Sequence, residues 1–571
     1  MLFLTHDLRF MRSLLFYFFS IVLLLTCSNV FSQWLKISTK EQLDQRLANF
    51  ETEISPGFSL IVLKNNAAVY TKNTGLAELK SKSAINEQTV FRVASLSKQF
   101  TAACILILEE KGWLSLDDPL SLYFPEFPDY AADITLRNLI HHTSGIRDFF
   151  KLANLSGYEE ADFNSDQAVL KMIARQKKLN FEPGTDMLYN NSGYFLLGLV
   201  VQKVSGLSIH KFAEEFIFKP LDMKNTGFYC NEIKGKENRA YGYKKNTEVA
   251  QAYVQYDSEL KIAGDGGLFT NVEDLAKWDM NFYDNQLPIK NFAARMYTRG
   301  RLNNGDLLHY AFGLEHSTIM GYDCISHSGA YVGYRSAILR IPSKRISVIC
   351  LGNSAELQAA QICEKVAEIV LDASFTSKQA ETEATKLPFE RSTIQLDAHI
   401  FKGYEGKFEL ANGQILHFYE KNKRYFVDII GQTNIEIFPA SILNFFVKET
   451  DISFTFIGNS SDKAAMVVLH IGDKRLLAKR IIDGQSNIQK LNEYVGAYYN
   501  EELNVTYKLI IESDNLFIQI DDKPKKAIDL IRKDKMILGE GLAQFRRDKA
   551  GRIAAFYLEA GSVRDLLFVK K

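Results

Sequence analysis

The 571-residue chain has no net charge, with 68 basic against 68 acidic residues. That balance argues against a nucleic-acid binder, which needs a basic excess to displace phosphate counterions. Eleven prolines and 34 glycines are too few for a collagen or a disordered linker protein. The six cysteines are scattered, form no disulfide scaffold and match no zinc spacing. Gly-x-Ser-x-Gly, His-Glu-x-x-His and a glycine-rich phosphate loop are all missing, which removes the chemistries they carry. Beyond the N-terminus no apolar run is long enough to span a bilayer. What is present is an ordinary globular mixture, 46% apolar and 24% charged, in a chain long enough for three or four domains.

The N-terminus reads as an address. Arg9 and Arg12 precede an apolar run over 14–25, broken only by Ser20. Twelve residues suit a signal-peptide core and fall short of the roughly 20 that cross a membrane. Val30-Phe31-Ser32 offers a cleavage site before Gln33, so 1–32 is read as a signal peptide and the protein as exported to the periplasm or cell envelope. Two alternatives stay open, lipidation at Cys27 in Leu-Leu-Thr-Cys and an uncleaved anchor, either of which attaches the chain to a membrane. Met11 is an alternative start. Cys104, Cys350 and Cys363 lie in apolar runs and read as core residues.

Helices and short strands alternate over 33–373. "TAACILILEEKGWL" after Lys98 is apolar nearly all round and ends at Gly112, the pattern of a buried helix. "RSAILRIP" and "RISVICLGN" read as adjacent strands. A polar stretch over 374–395 reads as a linker. Beyond it Tyr404-Glu405-Gly406-Lys407-Phe408 recurs 90 positions later as Tyr494-Val495-Gly496-Ala497-Tyr498, and Gly472 with Arg475 is matched by Gly561 with Arg564. Alternating strands around the turns Lys421-Asn422-Lys423 and Ser513-Asp514-Asn515 predict two small antiparallel barrels or sandwiches, at 396–482 and 491–571. A cut near Gln379 is expected to leave a catalytic region that still folds.

Ser95 and Lys98 form a Ser-x-x-Lys pair in "FRVASLSKQFTAACILILEE". The same spacing occurs at Ser208/Lys211, Ser258/Lys261 and Ser460/Lys463, but only Ser95 follows a short apolar strand and opens a long apolar helix. Unpaired N–H groups and the helix dipole there suit a nucleophile that develops an oxyanion beside it. Positions three apart share a face, so Lys98 reaches the Ser95 hydroxyl. The bland alternative is an N-cap serine followed by an exposed lysine. A second acid–base group is needed, and "EPGTDMLYNNSGYFLLGLVVQKVSG" supplies Tyr189 and Asn191 on one side of an extended segment ahead of a helix. The third piece is His327-Ser328-Gly329-Ala330 on a strand, where His327 and Gly329 share a face and Gly329 admits close backbone approach.

In that chain order the three pieces resemble the serine β-lactamase and penicillin-binding-protein superfamily, in its class C-like branch of D-alanyl-D-alanine carboxypeptidases, D-aminopeptidases and esterases. "ITLRNLIHHTSGIRDF", "LDDPLSLYFPEFP" and "GDGGLFTNVEDLAKW" carry the same resemblance, and the tandem β units look like appended lipocalin-like domains. The resemblance implies an α+β sandwich, an antiparallel sheet with helices on both faces, followed by two all-β barrel-like domains. It implies Ser95 as acylated nucleophile, Lys98 and Tyr189 as proton-transfer pair, and Asn191, His327 and Gly329 as substrate contacts. The N–H groups of Ser95 and Ala330 become the oxyanion hole, and neither cofactor nor metal is implied. The substrate is a small molecule or peptide, with peptidoglycan fragments a natural source. His327 stands where class C β-lactamases carry lysine, which favours a peptidase or esterase. A catalytically idle sensor of the same fold, or a true β-lactamase, is the alternative. Asp265 inside "GDGGL" has no account at this level.

Overall fold

The computed structural model describes residues 37–48, 53–228, 238–246, 252–372, 393–481 and 491–571, apart from short turns and single positions in the last two spans. The segment 1–32 with Cys27, Cys230, and nearly all of 374–395 lie outside the described residues. Among those described, no single helix is long and apolar enough to cross a membrane.

The compact units do not follow linear blocks of sequence. The first takes the chain up to Tyr123 together with Ile134–Thr143 and Gly193–Ser377; the second takes Phe124–Asp133, Ser144–Ser192 and Lys378–Lys571. In the first unit six strands form one antiparallel sheet: β1 (Phe58–Lys64), β2 (Ala67–Thr74), β3 (Glu315–Ile319), β4 (Tyr322–Tyr331), β5 (Tyr334–Ile341) and β6 (Ile346–Gly352). Their order is β3-β4-β5-β6-β1-β2, so the N-terminal hairpin completes a sheet begun by the distant C-terminal strands. β5 and β6 are adjacent as their text predicts, Arg335 facing Gly352 and Ile341 facing Ile346.

Helices cover both faces of this sheet. On one, Leu43 and Leu47 of α1 (Ile37–Leu47) join Ile362, Val366 and Val370 of α5 (Ala359–Asp372) over Leu60, Val62, Leu339, Val348 and Cys350. Alternation along β1, β5 and β6 sends the intervening residues to the other face. There the Arg340 guanidinium of β5 meets Asp279 of α4 (Val272–Met280), Nε donating to Oδ1 at 2.7 Å. Between these layers and the site runs α2 (Ser97–Glu110), buried from Ser97 through Leu108, as its all-round apolar text predicts. The four described cysteines, Cys104, Cys324, Cys350 and Cys363, are buried free thiols.

In the second unit the helices Phe149–Leu155 and Asp166–Ala174 are N-capped by Asp148 and Ser165. The first β repeat is a closed eight-stranded barrel over 406–480, and the second a nine-stranded antiparallel sheet over 496–570. The sequence repeat is a structural one. Phe408 and Tyr498 are each buried, and each lies under a basic side chain of the last strand, Arg480 at 4.5 Å and Lys570 at 5.5 Å. Asn422 and Lys423 both take positive φ in a two-residue hairpin turn, as expected there.

Candidate active site

Contrary to the reading of the sequence, Ser95 does not itself open the helix. A two-residue strand, Phe91–Arg92, ends in a sharp turn at Ala94, whose φ is +48°. A 3₁₀ turn over Ala94–Leu96 follows, and α2 starts at Ser97. Positive φ is costly for a residue with a Cβ, so the surrounding structure must hold this turn in place. Ser97 contributes, its hydroxyl donating to Ala94 O at 2.5 Å and accepting from Leu268 N–H at 3.1 Å. From Thr89 to Leu108 every residue is buried except Ser95. The turn therefore presents one hydroxyl at the surface of a packed element.

Lys98 lies one turn further on, fully buried. Its Nζ donates to Ser95 Oγ at 3.2 Å and to the backbone carbonyl of Asp265 at 2.8 Å, and sits 5.6 Å from the Tyr194 ring. The bland alternative of an exposed lysine is thus removed. The main chain at Asp265 has a part that its side-chain charge does not explain: "GDGG" folds back so that Gly264 O accepts from Thr101 Oγ1 at 2.7 Å while Asp265 O accepts from Lys98. Gly264 has φ +109°, and a Cβ there would stand 2.5 Å from Tyr194 O, so the fold-back needs glycine.

His327 sits on β4, buried, with its ring turned inward. Nδ1 is 2.7 Å from Ser328 O, and Nε2 is 3.2 Å from the hydroxyl of buried Tyr310. A carbonyl only accepts, so Nδ1 carries the proton and Nε2 accepts from Tyr310. Burial first, and the Lys98 charge second, push His327 down to about 3, which keeps the ring neutral. His142 stands 4.5 Å from the Tyr310 ring and is held well below its usual range by burial and the same lysine. Lys98 is thus backed by two neutral imidazoles. The part of the strand that meets Ser95 is backbone. A Cβ on Gly329 would lie 2.2 Å from Val93 O, 2.4 Å from Ser336 Oγ and 3.1 Å from Ser95 N.

The hairpin sets where Ala330 points. Tyr331 faces Tyr334 across the two-residue turn of Val332 and Gly333, and Ala330 faces Arg335. In such a hairpin the closing pair exchanges both hydrogen bonds and the next pair makes none. The Ala330 N–H and Ser328 C=O therefore point away from β5. Pairing with β3 ends at Ser326, so on that side 327–331 is an open strand edge within this sheet.

Tyr189 and Asn191 belong to the second unit, as Ser95, Lys98, His327, Gly329 and Ala330 belong to the first. The expected turn is present, with Thr185 N–H donating to Glu182 O at 3.0 Å. Tyr189 is half-buried in the extended stretch before α3 (Asn191–Ser205). The residue that the sequence reading missed is Asp148. Its Oδ2 accepts from the Asn191 backbone N–H at 2.6 Å and from Asn191 Nδ2 at 2.8 Å, while Oδ1 caps the Phe149–Leu155 helix through Lys151 N–H. Only its place in "HTSGIRDF" hinted at a role. Among the described residues no group of His, Cys, Asp and Glu is arranged to hold a metal.

The Beta-lactamase family profile matches residues 43–370, more than half of the chain. Penicillin-binding protein 4* of Bacillus subtilis (strain 168) is 29% identical over 425 residues, spanning 71% of this chain and 91% of that protein. A D-aminopeptidase of Gluconobacter oxydans (strain 621H) is 26% identical over 310 residues, which cover 54% of this chain and 58% of that enzyme. The octameric penicillin-binding protein homologue from Pyrococcus abyssi shares the fold with a TM-score of 0.54 at 24% identity, over 77% of this chain and 99% of that one. The chain belongs to the Beta-lactamase family and is a serine hydrolase of the serine β-lactamase and penicillin-binding-protein superfamily, class C-like branch.

Proposed function

We propose that this serine hydrolase is exported and turns over peptide, amide or ester substrates, peptidoglycan-derived D-peptides among them, through an acyl-enzyme on Ser95. The observation that carries the reading is the buried Lys98 Nζ at 3.2 Å from the one accessible hydroxyl of its segment. Ser95 Oγ forms the ester bond to the substrate carbonyl carbon, and its proton passes to the Lys98 and Tyr189 pair. The bond to the leaving group breaks as that group takes up a proton, and water then releases the acid. The outward N–H of Ala330, with that of Ser95, is assigned to the developing oxyanion. Asn191 is assigned to the substrate amide.

His327 supports the peptidase or esterase reading over a β-lactamase. A ring held neutral and bonded to Tyr310 supplies no cation for a substrate carboxylate. Its part is to brace the strand that carries Gly329 and Ala330. The name of one relative, a D-aminopeptidase, points to D-configured peptides as the first substrates to try. Export rests on the N-terminal segment, with cleavage after Ser32 or lipidation at Cys27 as its two forms. Intact-mass analysis after exposure to an activated ester or a penicillin tests the reading. A mass increase lost in Ser95→Ala is expected, and labelling that survives in that variant overturns it.

A further inference from the structure

Arg147 and Asp148 are neighbours in sequence with their side chains committed to opposite tasks. Asp148 takes both N–H groups of Asn191. Arg147 is 1% exposed, and its guanidinium is held from the C-terminal β region. Nη1 donates to Glu502 Oε2 at 2.6 Å and to Gln176 Oε1 at 3.0 Å, and Nη2 donates to Arg564 O at 2.8 Å. Glu502 Oε2 also accepts from the Lys177 N–H at 2.7 Å. Two further ties join the same parts of the unit. Asn180 exchanges hydrogen bonds with Ser562 O and Arg564 N, and Tyr507 donates to Leu155 O at 2.7 Å.

The consequences run through the main chain. The Arg147 carbonyl accepts from Ser192 Oγ at 2.7 Å, and the same hydroxyl accepts from Phe149 N–H at 2.9 Å. The placement of Arg147 therefore sets the positions of Asp148, Asn191 and Ser192 together. The two β repeats differ where this matters: 90 positions before Glu502 the first repeat has Asn412, which carries no charge. A buried cation without its carboxylate is strongly unfavourable, so Glu502 decides whether this arrangement persists.

We propose that Glu502 is a positioning residue for Asn191, so that the second C-terminal β unit is a working part of substrate recognition. The proposal rests on the reading of Asn191 as the ligand of the substrate amide. By holding the Arg147 guanidinium, Glu502 fixes the backbone from which Asp148 orients the Asn191 side chain. Substrates that present an amide to Asn191 depend on it, and plain short esters do not.

The test uses the full chain with Glu502→Gln and Asn191→Ala, singly and combined, on an N-acyl-D-aminoacyl ester and on a short ester without an amide. Glu502→Gln is expected to lower kcat/KM about tenfold on the first substrate and less than about twofold on the second, with no further loss when added to Asn191→Ala. Hydrogen exchange at the Asn191 and Phe149 amides is expected to quicken in the same variant while that of α2 stays unchanged. Glu502→Asp is expected to recover part of the loss. Parallel falls on both substrates, additive losses in the double variant, or unchanged exchange at Asn191 overturn the proposal. If Asn191→Ala treats the two substrates alike, the reading of Asn191 falls, and exchange at its amide decides the positioning claim alone.

Discussion

Lys98 Nζ and the Asp265 backbone carbonyl are joined at 2.8 Å across 167 positions of sequence. Because a main-chain carbonyl makes the contact, the side chain at 265 gave no sign of it. The lysine is left with one donor directed at a carbonyl and another at the Ser95 hydroxyl, which restricts its rotamers before substrate arrives. Preorganised groups of this kind lower the reorganisation required in the transition state.

Ser95→Ala is expected to abolish turnover with the fold intact, because no neighbouring oxygen replaces Oγ. Removing such a nucleophile costs about a millionfold in kcat. Steady-state kinetics with circular dichroism checks this. Ser208→Ala serves as control: its hydroxyl caps the Ile209–Ala213 helix, so about 1 kcal/mol of stability is at stake there but no catalysis.

Gly329→Ala is expected to cost at least about tenfold in kcat/KM, since the new methyl meets Val93 O and Ser336 Oγ and pushes the strand off Ser95. The measurement is kcat/KM beside Tm. Wild-type kcat/KM in this variant would remove β4 from the site.

Stability should fall in acid through the buried imidazoles. His327 and His141 are pushed down to about 3 and about 4 from 6.5, both chiefly by burial, so the unfolded chain binds their protons first as pH falls. Their contribution is fully present above about pH 6.5 and is lost on the way down, each adding up to ~1.4 kcal/mol per pH unit until its folded value is reached. Urea titrations between pH 7 and 5 measure the slope. His327→Gln is expected to flatten it, and an unaltered slope would exclude His327 as a source.

A chain cut near Gln379 is expected to be unstable, contrary to what the polar linker suggested. The cut strips from Ser144–Ser192 the rest of their compact unit, Glu502 and Arg564 beside Arg147 and Tyr507 beside Leu155 among it, and opens to water side chains that are buried in the full chain. Soluble yield and Tm of the truncated chain check this. A truncated chain as stable as the full one would show that these contacts are dispensable.

Local text determined much of this protein. The all-round apolar run after Lys98 reads as a buried helix, the segments at 334–341 and 346–352 read as adjacent strands, and the 90-residue repeat reads as two similar β units, as the structure has them. Ser95, Lys98 and Gly329 were legible because their chemistry depends on spacing of three along one turn and on alternation along one strand. The tertiary structure decided what rests on contacts between distant positions. The 3₁₀ turn at Ala94 is imposed by packing, and no propensity scale assigns positive φ to alanine. The inward side of His327 follows from the strand's alternation, but the bond of its ring to the Tyr310 hydroxyl is a tertiary one. Arg147 finds Glu502 across 355 positions, and no local periodicity encodes a partner at that distance. Short-range order is written in neighbouring residues, whereas the partner of a buried charge is chosen only when the whole chain has closed around it.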